Sequence, residues 1–322
     1  MSGAPALVLI DLQKAIDDPS WGVRNNPHAE DRARRLLTLW RHNRWPLFHV
    51  RHDSREPNST YRPGQPLHDF KPKTAPFPGE TVLGKTTCSA FASTDLAVRL
   101  RACEAGPVFV CGVITNNSVE ATVRAGGDLG FNMELVEDAC FTVGKGRWTA
   151  QDVHEMSIAN LDGEYAAITT SSRVISAYLG SVCQQASLRA AGAARQGNDR
   201  SETVIAALLD PLPAAPWQEM GFSWVVCVML GKREETLRFL AGRPQARQSL
   251  TQAELDIVEH CGGPMDEFSA DLFEDRIDSG WLVHLHHIRK QASQQTESPV
   301  PSFAAFRQLV EDHLNATPSQ QG

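Results

Sequence analysis

Short apolar runs recur through the first half of the chain, at 6–10, 46–50, 108–114, 133–136 and 166–170, each followed by an amphipathic or irregular stretch. The runs are continuous rather than alternating, which is how strands read when helices cover both faces of a parallel sheet. Helices are predicted at 29–43, where Leu36, Leu37 and Trp40 share one stripe, at 94–105 behind an N-capping Ser93, at 118–129 and at 150–161. This alternation predicts a three-layer α/β/α sandwich with a mainly parallel sheet over residues 1–180.

At 322 residues the chain is long for one domain. Residues 181–200 turn to Gln, Ala, Ser, Arg and Gly and read as a linker or a fraying helix. Residues 201–316 read as a second, smaller, mainly helical region of unknown role, with helices at 232–241, 251–261 and 302–314, and 317–322 as a disordered tail. The stretch 54–80 holds six prolines and no periodicity, an irregular excursion of the kind that covers a ligand crevice in α/β folds.

Lys and Arg number 31 against 38 Asp and Glu, a formal charge of −7, so the basic face needed for nucleic acid or an anionic membrane surface is not expected. No apolar run approaches the ~18 residues of a membrane span, and the N-terminus reads as a strand rather than a signal peptide. Seven scattered cysteines without metal-ligand spacing read as reduced thiols of a cytoplasmic protein.

Three positions attract chemistry. Asp11 ends the first strand, where an open α/β sheet places its ligand crevice; the bland reading is a strand-terminating Asp. Lys85, in GETVLGKTTCSAF, could pair with it or be a solvated surface lysine. The strand at 108–114 breaks at Gly112, passes Thr115, Asn116 and Asn117, and enters a helix at Ser118. Backbone N–H donors at such a junction suit a nucleophile and an oxyanion, though Asn117 or Ser118 could equally be a simple cap.

These residues stand in segments that closely resemble the isochorismatase-like hydrolases, or cysteine hydrolase superfamily: LVLIDLQ (7–13), FHVRHDS (48–54), PGETVLGKTTCSAFASTDL (78–96), GVITNNSVEATVRAGGDLGF (112–131) and VHEMSIANLDGEYAAITTS (153–171). The resemblance implies an Asp-Lys-Cys triad mapping to Asp11, Lys85 and Ser118, so that serine stands where the family has its nucleophilic cysteine. It also implies a cis peptide between Val113 and Ile114, an oxyanion hole at the amides of Ile114 and Ser118, a small-molecule substrate and a homo-oligomer; no Gly-rich dinucleotide fingerprint follows a strand, so no organic cofactor is expected. Lys85 and a helix N-terminus can ionise a cysteine but not a serine, which needs a general base within reach; Asp11 is the candidate.

Three accounts of Ser118 follow. The serine hydrolyses a small amide, ureide or ester. Alternatively, Asp11 acts as a general acid on a vinyl ether, as in relatives that lack the cysteine. In the third, the protein is catalytically silent and binds or scaffolds; a Cys-to-Ser trapping substitution is a further possibility. Phe91, Trp21 and Asn117 are placed in the substrate pocket, with Phe141 a further aromatic, and Glu80 orients the loop before Lys85 or makes a salt bridge there. Neither His49 and His52 beside Asp53, nor His284, His286 and His287, complete a tetrahedral ligand set, so no metal is expected.

Overall fold

The computed structural model describes residues 3–294 and 299–316. The predicted tail at 317–322 lies outside them. Contacts divide the chain into two units, one running to Ile175 and the other from Ser176.

In chain order the first unit runs β1 (Ala6–Ile10), α1 (Ala29–Asn43), β2 (Leu47–His52), β3 (Thr81–Lys85), α2 (Ala90–Ser93), α3 (Leu96–Ala102), β4 (Val108–Val113), α4 (Glu120–Asp128), β5 (Met133–Phe141), α5 (Ala150–Leu161) and β6 (Ala167–Thr169). The strands form one six-stranded sheet, all pairs parallel, in the order β3-β2-β1-β4-β5-β6. All five residues of β1 are buried, as a central strand under two helical layers requires. On α1, Leu36, Leu37, Leu39 and Trp40 are buried, and the Trp40 indole meets Phe109 edge-on at 5.2 Å.

β3 has no apolar run to announce it in the sequence. It is a sheet edge, five residues long, with Gly84 and Val82 exposed, so it lacks the apolar continuity that marks its neighbours. The helix predicted at 94–105 is the shorter α3, with Asp95 rather than Ser93 at its cap; Ser93 instead ends the separate short helix α2.

The chain fills the sheet outward from β1 to β3 and then returns to place β4 on the other side of β1. The crevice between β1 and β4 is therefore the topological switch point, where doubly wound sheets place ligands. Close approach there depends on Gly112, whose φ is 128°. A Cβ at that position would lie 2.1 Å from the Ile10 carbonyl oxygen and 2.7 Å from its nitrogen. Neither backbone atom can rotate away. Gly112→Ala is expected to cost about 3 kcal/mol from overpacking and backbone strain, read as a lower urea midpoint at unchanged slope.

The proline-rich segment is irregular, with short 3-10 turns at Pro66–His68 and Pro72–Thr74. It is tied back by backbone hydrogen bonds: Asp53 donates to Lys85, Ser54 to Tyr61, Lys14 to Asp69 and Lys71 to Leu12. These bonds lay the segment along the carboxyl ends of β1 to β3.

α6 (Ser171–Val182) spans the division between the units. The second unit then runs α7 (Gln185–Gln196), α8 (Ser201–Leu209), α9 (Trp224–Gly231), α10 (Arg233–Gly242), α11 (Pro244–Arg247), α12 (Gln252–His260), α13 (Glu267–Glu274), α14 (Ser279–Gln294) and α15 (Ala304–Ala316). The 181–200 segment is thus mostly helix, not linker: Ser187, Ala190, Ala191 and Ala194 of α7 are buried, a small-residue face against α8 and α14. α8 is buried from Thr203 to Leu209, and Phe239 of α10 stacks on Phe273 of α13 at 4.6 Å. The capping box predicted at Thr251 and Glu254 opens α12.

Candidate active site

Asp11 follows β1 directly. Its backbone is in the left-handed region (φ 52°), a conformation Asp tolerates better than most residues, and it is 3% exposed. Lys85 ends β3 and is fully buried. Ser118 lies in a π-type turn, Thr115–Val119, between β4 and α4, where Val119 donates to the Ile114 carbonyl at 3.3 Å. The structure brings all three together. Lys85 Nζ donates to Asp11 Oδ2 at 2.7 Å, to Ser118 Oγ at 3.1 Å and to the Thr87 carbonyl at 3.1 Å. The Val113–Ile114 peptide is cis.

Burial pushes the Asp11 carboxyl up to about 6, against the lowering pull of the Lys85 charge and hydrogen bond and of the Ser118 hydroxyl; the Asp53 charge adds a smaller upward push. Its Oδ1 is buried and has no hydrogen-bond partner among the described residues. Ser118 takes its hydrogen bond from the lysine through an oxygen lone pair. Its own proton is left to point elsewhere.

Two further residues join the group, and the sequence reading placed neither there. His52, the last residue of β2, sits opposite Lys85 in the sheet register, with Nδ1 3.3 Å from the ammonium. Burial first, and the Lys85 charge second, lower its pKa to about 4, so it is neutral at pH 7. Tyr61, delivered by the proline-rich segment, is 5% exposed and meets the rings of His52 and Trp21 edge-on at 5.7 and 6.0 Å. The only sequence signal for His52 was its strand-end position, and for Tyr61 an aromatic within a proline-rich loop.

Behind these groups lies a set of buried supports. Gln13, fully buried, accepts from the His52 amide and donates to the His68 carbonyl. Thr115 Oγ1 meets His154 Nδ1 at 3.0 Å, Ser157 donates to Glu120, and Thr142 donates to Asn116. The turn that carries Ser118 is thereby fixed from α5 and from the end of β5. Glu80 makes the salt bridge allowed for it, with Arg41, and also accepts from His49.

Trp21 lies beside Tyr61 and donates to Thr60 Oγ1. Phe91 has different company from that expected: its ring stacks on Phe131 and packs near Gly126 of α4, because the short α2 turns it towards that helix. Phe141 is fully buried under the Arg24 guanidinium, 3.4 Å from its ring centroid, and Asn117 is exposed. Ile114 leads into the π-type turn.

Among the described residues no group of three or more His, Cys, Asp or Glu could hold a metal ion. His284 pairs with Asp199, whereas His286 is buried 3.7 Å from Glu254. Cys111 and Cys140, close by in β4 and β5, have thiols pushed up by burial and are held as inert thiols. No helix among the described residues is long and apolar enough to cross a membrane.

The model of the isochorismatase domain matches residues 5–173. The uncharacterized isochorismatase-family protein YrdC of Bacillus subtilis is 33% identical over 184 residues, spanning 56% of this chain and 98% of that one. A maleamate amidohydrolase of Pseudomonas putida is 32% identical over 107 residues, 33% of this chain and 47% of that one. A crystal structure of an isochorismatase-family protein from Chromobacterium violaceum is 55% identical, with a TM-score of 0.53, covering 54% of this chain and 93% of that one.

Proposed function

The chain belongs to the isochorismatase family of hydrolases, and on that premise we propose that it cleaves a small amide, ureide or ester through Asp11, Lys85 and Ser118. The observation that carries this reading is the Lys85 ammonium shared between Asp11 and Ser118 in a buried crevice at the switch point. Ser118 Oγ attacks the carbonyl carbon while its proton passes to Asp11 Oδ1, the carboxylate oxygen with no other partner. The N–H groups of Ile114 and Ser118 stabilise the oxyanion of the tetrahedral intermediate. Collapse expels the amine or alcohol, which takes the proton back from Asp11. Water then releases the acyl-serine by the same route, with Asp11 again the base. Lys85 keeps Asp11 ionised and holds the serine oxygen in place. The amidohydrolase among the relatives supports C–N cleavage as the first chemistry to test.

A second reading has its own observation. A carboxyl raised to about 6 with one free oxygen also suits a general acid, which would protonate a vinyl ether without any nucleophile. The pH profile separates the two. A base must be ionised, so kcat/KM for an amide or ester rises through about pH 6 and then levels. An acid must be protonated, so turnover of isochorismate falls above the same value. The test is a screen of small amides, ureides, esters and isochorismate, with the profile taken on whatever is turned over. Absence of turnover throughout, with activity appearing in Ser118→Cys, would assign the natural chain a binding role.

A further inference from the structure

We propose that Tyr61 is a substrate-positioning residue, donating a hydrogen bond to an uncharged carbonyl of the substrate and so selecting neutral substrates over those carrying a carboxylate at that point. The inference rests on the hydrolytic reading of the same crevice.

The Tyr61 ring is held between Trp21 and His52, and its hydroxyl is buried with no partner among the described residues. A phenylalanine would fill the same space without the desolvation cost of an unpaired hydroxyl. The hydroxyl therefore serves a group that the chain does not itself supply. Burial, with the Asp11 and Asp17 charges adding to it, holds it as the protonated phenol, a donor.

The neighbouring groups fix the charge of what it meets. Lys85 has three N–H bonds, and Asp11, Ser118, the Thr87 carbonyl and His52 Nδ1 all stand within its reach, so no hydrogen is spare for a substrate anion. Since lysine can only donate, the His52 tautomer that suits an ammonium 3.3 Å from Nδ1 is the one with its hydrogen on Nε2. The groups on this side of the crevice are thus two neutral donors beside a carboxylate. An incoming carboxylate would be repelled by Asp11 and find no unpaired cation among these residues, whereas a carbonyl oxygen finds a phenol.

Maleamide and maleamate share a carbon skeleton and differ in this charge. Binding is measured by calorimetry in the Ser118→Ala background, so that neither is consumed, with and without Tyr61→Phe. The expected result is about tenfold tighter binding of maleamide than maleamate. Tyr61→Phe should weaken maleamide about tenfold, or about 1.4 kcal/mol, and erase the preference, with Tm unchanged or raised. Equal binding with and without the hydroxyl, preference for maleamate, no binding of either at millimolar concentration, or a Tm that falls with the affinity would each overturn the proposal. Failure of the hydrolytic reading shows separately, as ammonia release from maleamide that survives Ser118→Ala in otherwise wild-type protein.

Discussion

Ser118→Ala is expected to lower kcat/KM for the amide or ester substrate by about a thousandfold or more, with little change in stability. Losing the nucleophile removes the covalent route and leaves only binding and oxyanion stabilisation, which in comparable triads sustain a small residual rate. The fold should hardly notice. Lys85 Nζ keeps Asp11, the Thr87 carbonyl and His52 as partners when the serine oxygen is gone, so the expected cost is within about 1 kcal/mol. Steady-state kinetics beside a urea titration checks both halves. Asp11→Asn should be as damaging to turnover, because the amide cannot take the proton. The vinyl-ether route makes the opposite forecast for one of the pair: Asp11→Asn abolishes activity and Ser118→Ala is tolerated.

The second large effect is on stability. Lys85→Met strands the Asp11 carboxylate in a fully buried site, and breaking a buried pair by removing one partner costs about 3–5 kcal/mol. The loss depends on pH. Asp11 is already raised from 3.8 to about 6 by burial, and the variant loses the lysine that holds it down, so its pKa climbs further. A carboxyl raised in the folded state binds its proton more tightly there than when unfolded. Its contribution to stability is fully present below the unfolded value near 3.8 and is lost as pH rises through the folded value. The variant should therefore lie closer to wild type at pH 4 than at pH 8. The double variant Lys85→Met/Asp11→Asn should recover much of the loss at pH 8. Equal destabilisation at both pH values would show that packing, not the stranded charge, sets the cost.

Much of the first unit was legible because its physics is periodic. β1 and β4 were visible as apolar runs because burial on both faces leaves little room for polar residues, and β2, β5 and the edge strand β6 carry enough apolar residues to read the same way. β3 escaped because an edge strand with an internal glycine has no such run. Asp11 and Ser118 could be located on strand ends, but spacing alone could not choose between cap and catalyst; the family resemblance pointed to the catalytic reading, and the sheet order brings the positions together. Tyr61 was hidden for a different reason. Its burial comes from where a proline-rich segment is tied down, which local sequence does not encode. In the second unit α7 read as a linker or a fraying helix because Ala, Gln and Arg suggest solvent, yet Ala is also the best helix former and lets helices approach closely, and here it is a packed helix.

The order of the strands also sets the length of one side chain. Lys85 and Asp11 stand on strands separated by β2, and adjacent strands lie about 4.8 Å apart, so their backbones are about 10 Å from each other. Two short residues at those stations could not touch. Lysine's four-carbon stem crosses the gap, and its ammonium comes to 3.3 Å from Nδ1 of His52, which is neutral at pH 7 and so tolerates it there. An aspartate on the near strand, a long cation two strands away and a flat neutral ring between them form a single dimensional set, so that changing the reach of one would require refitting the other two.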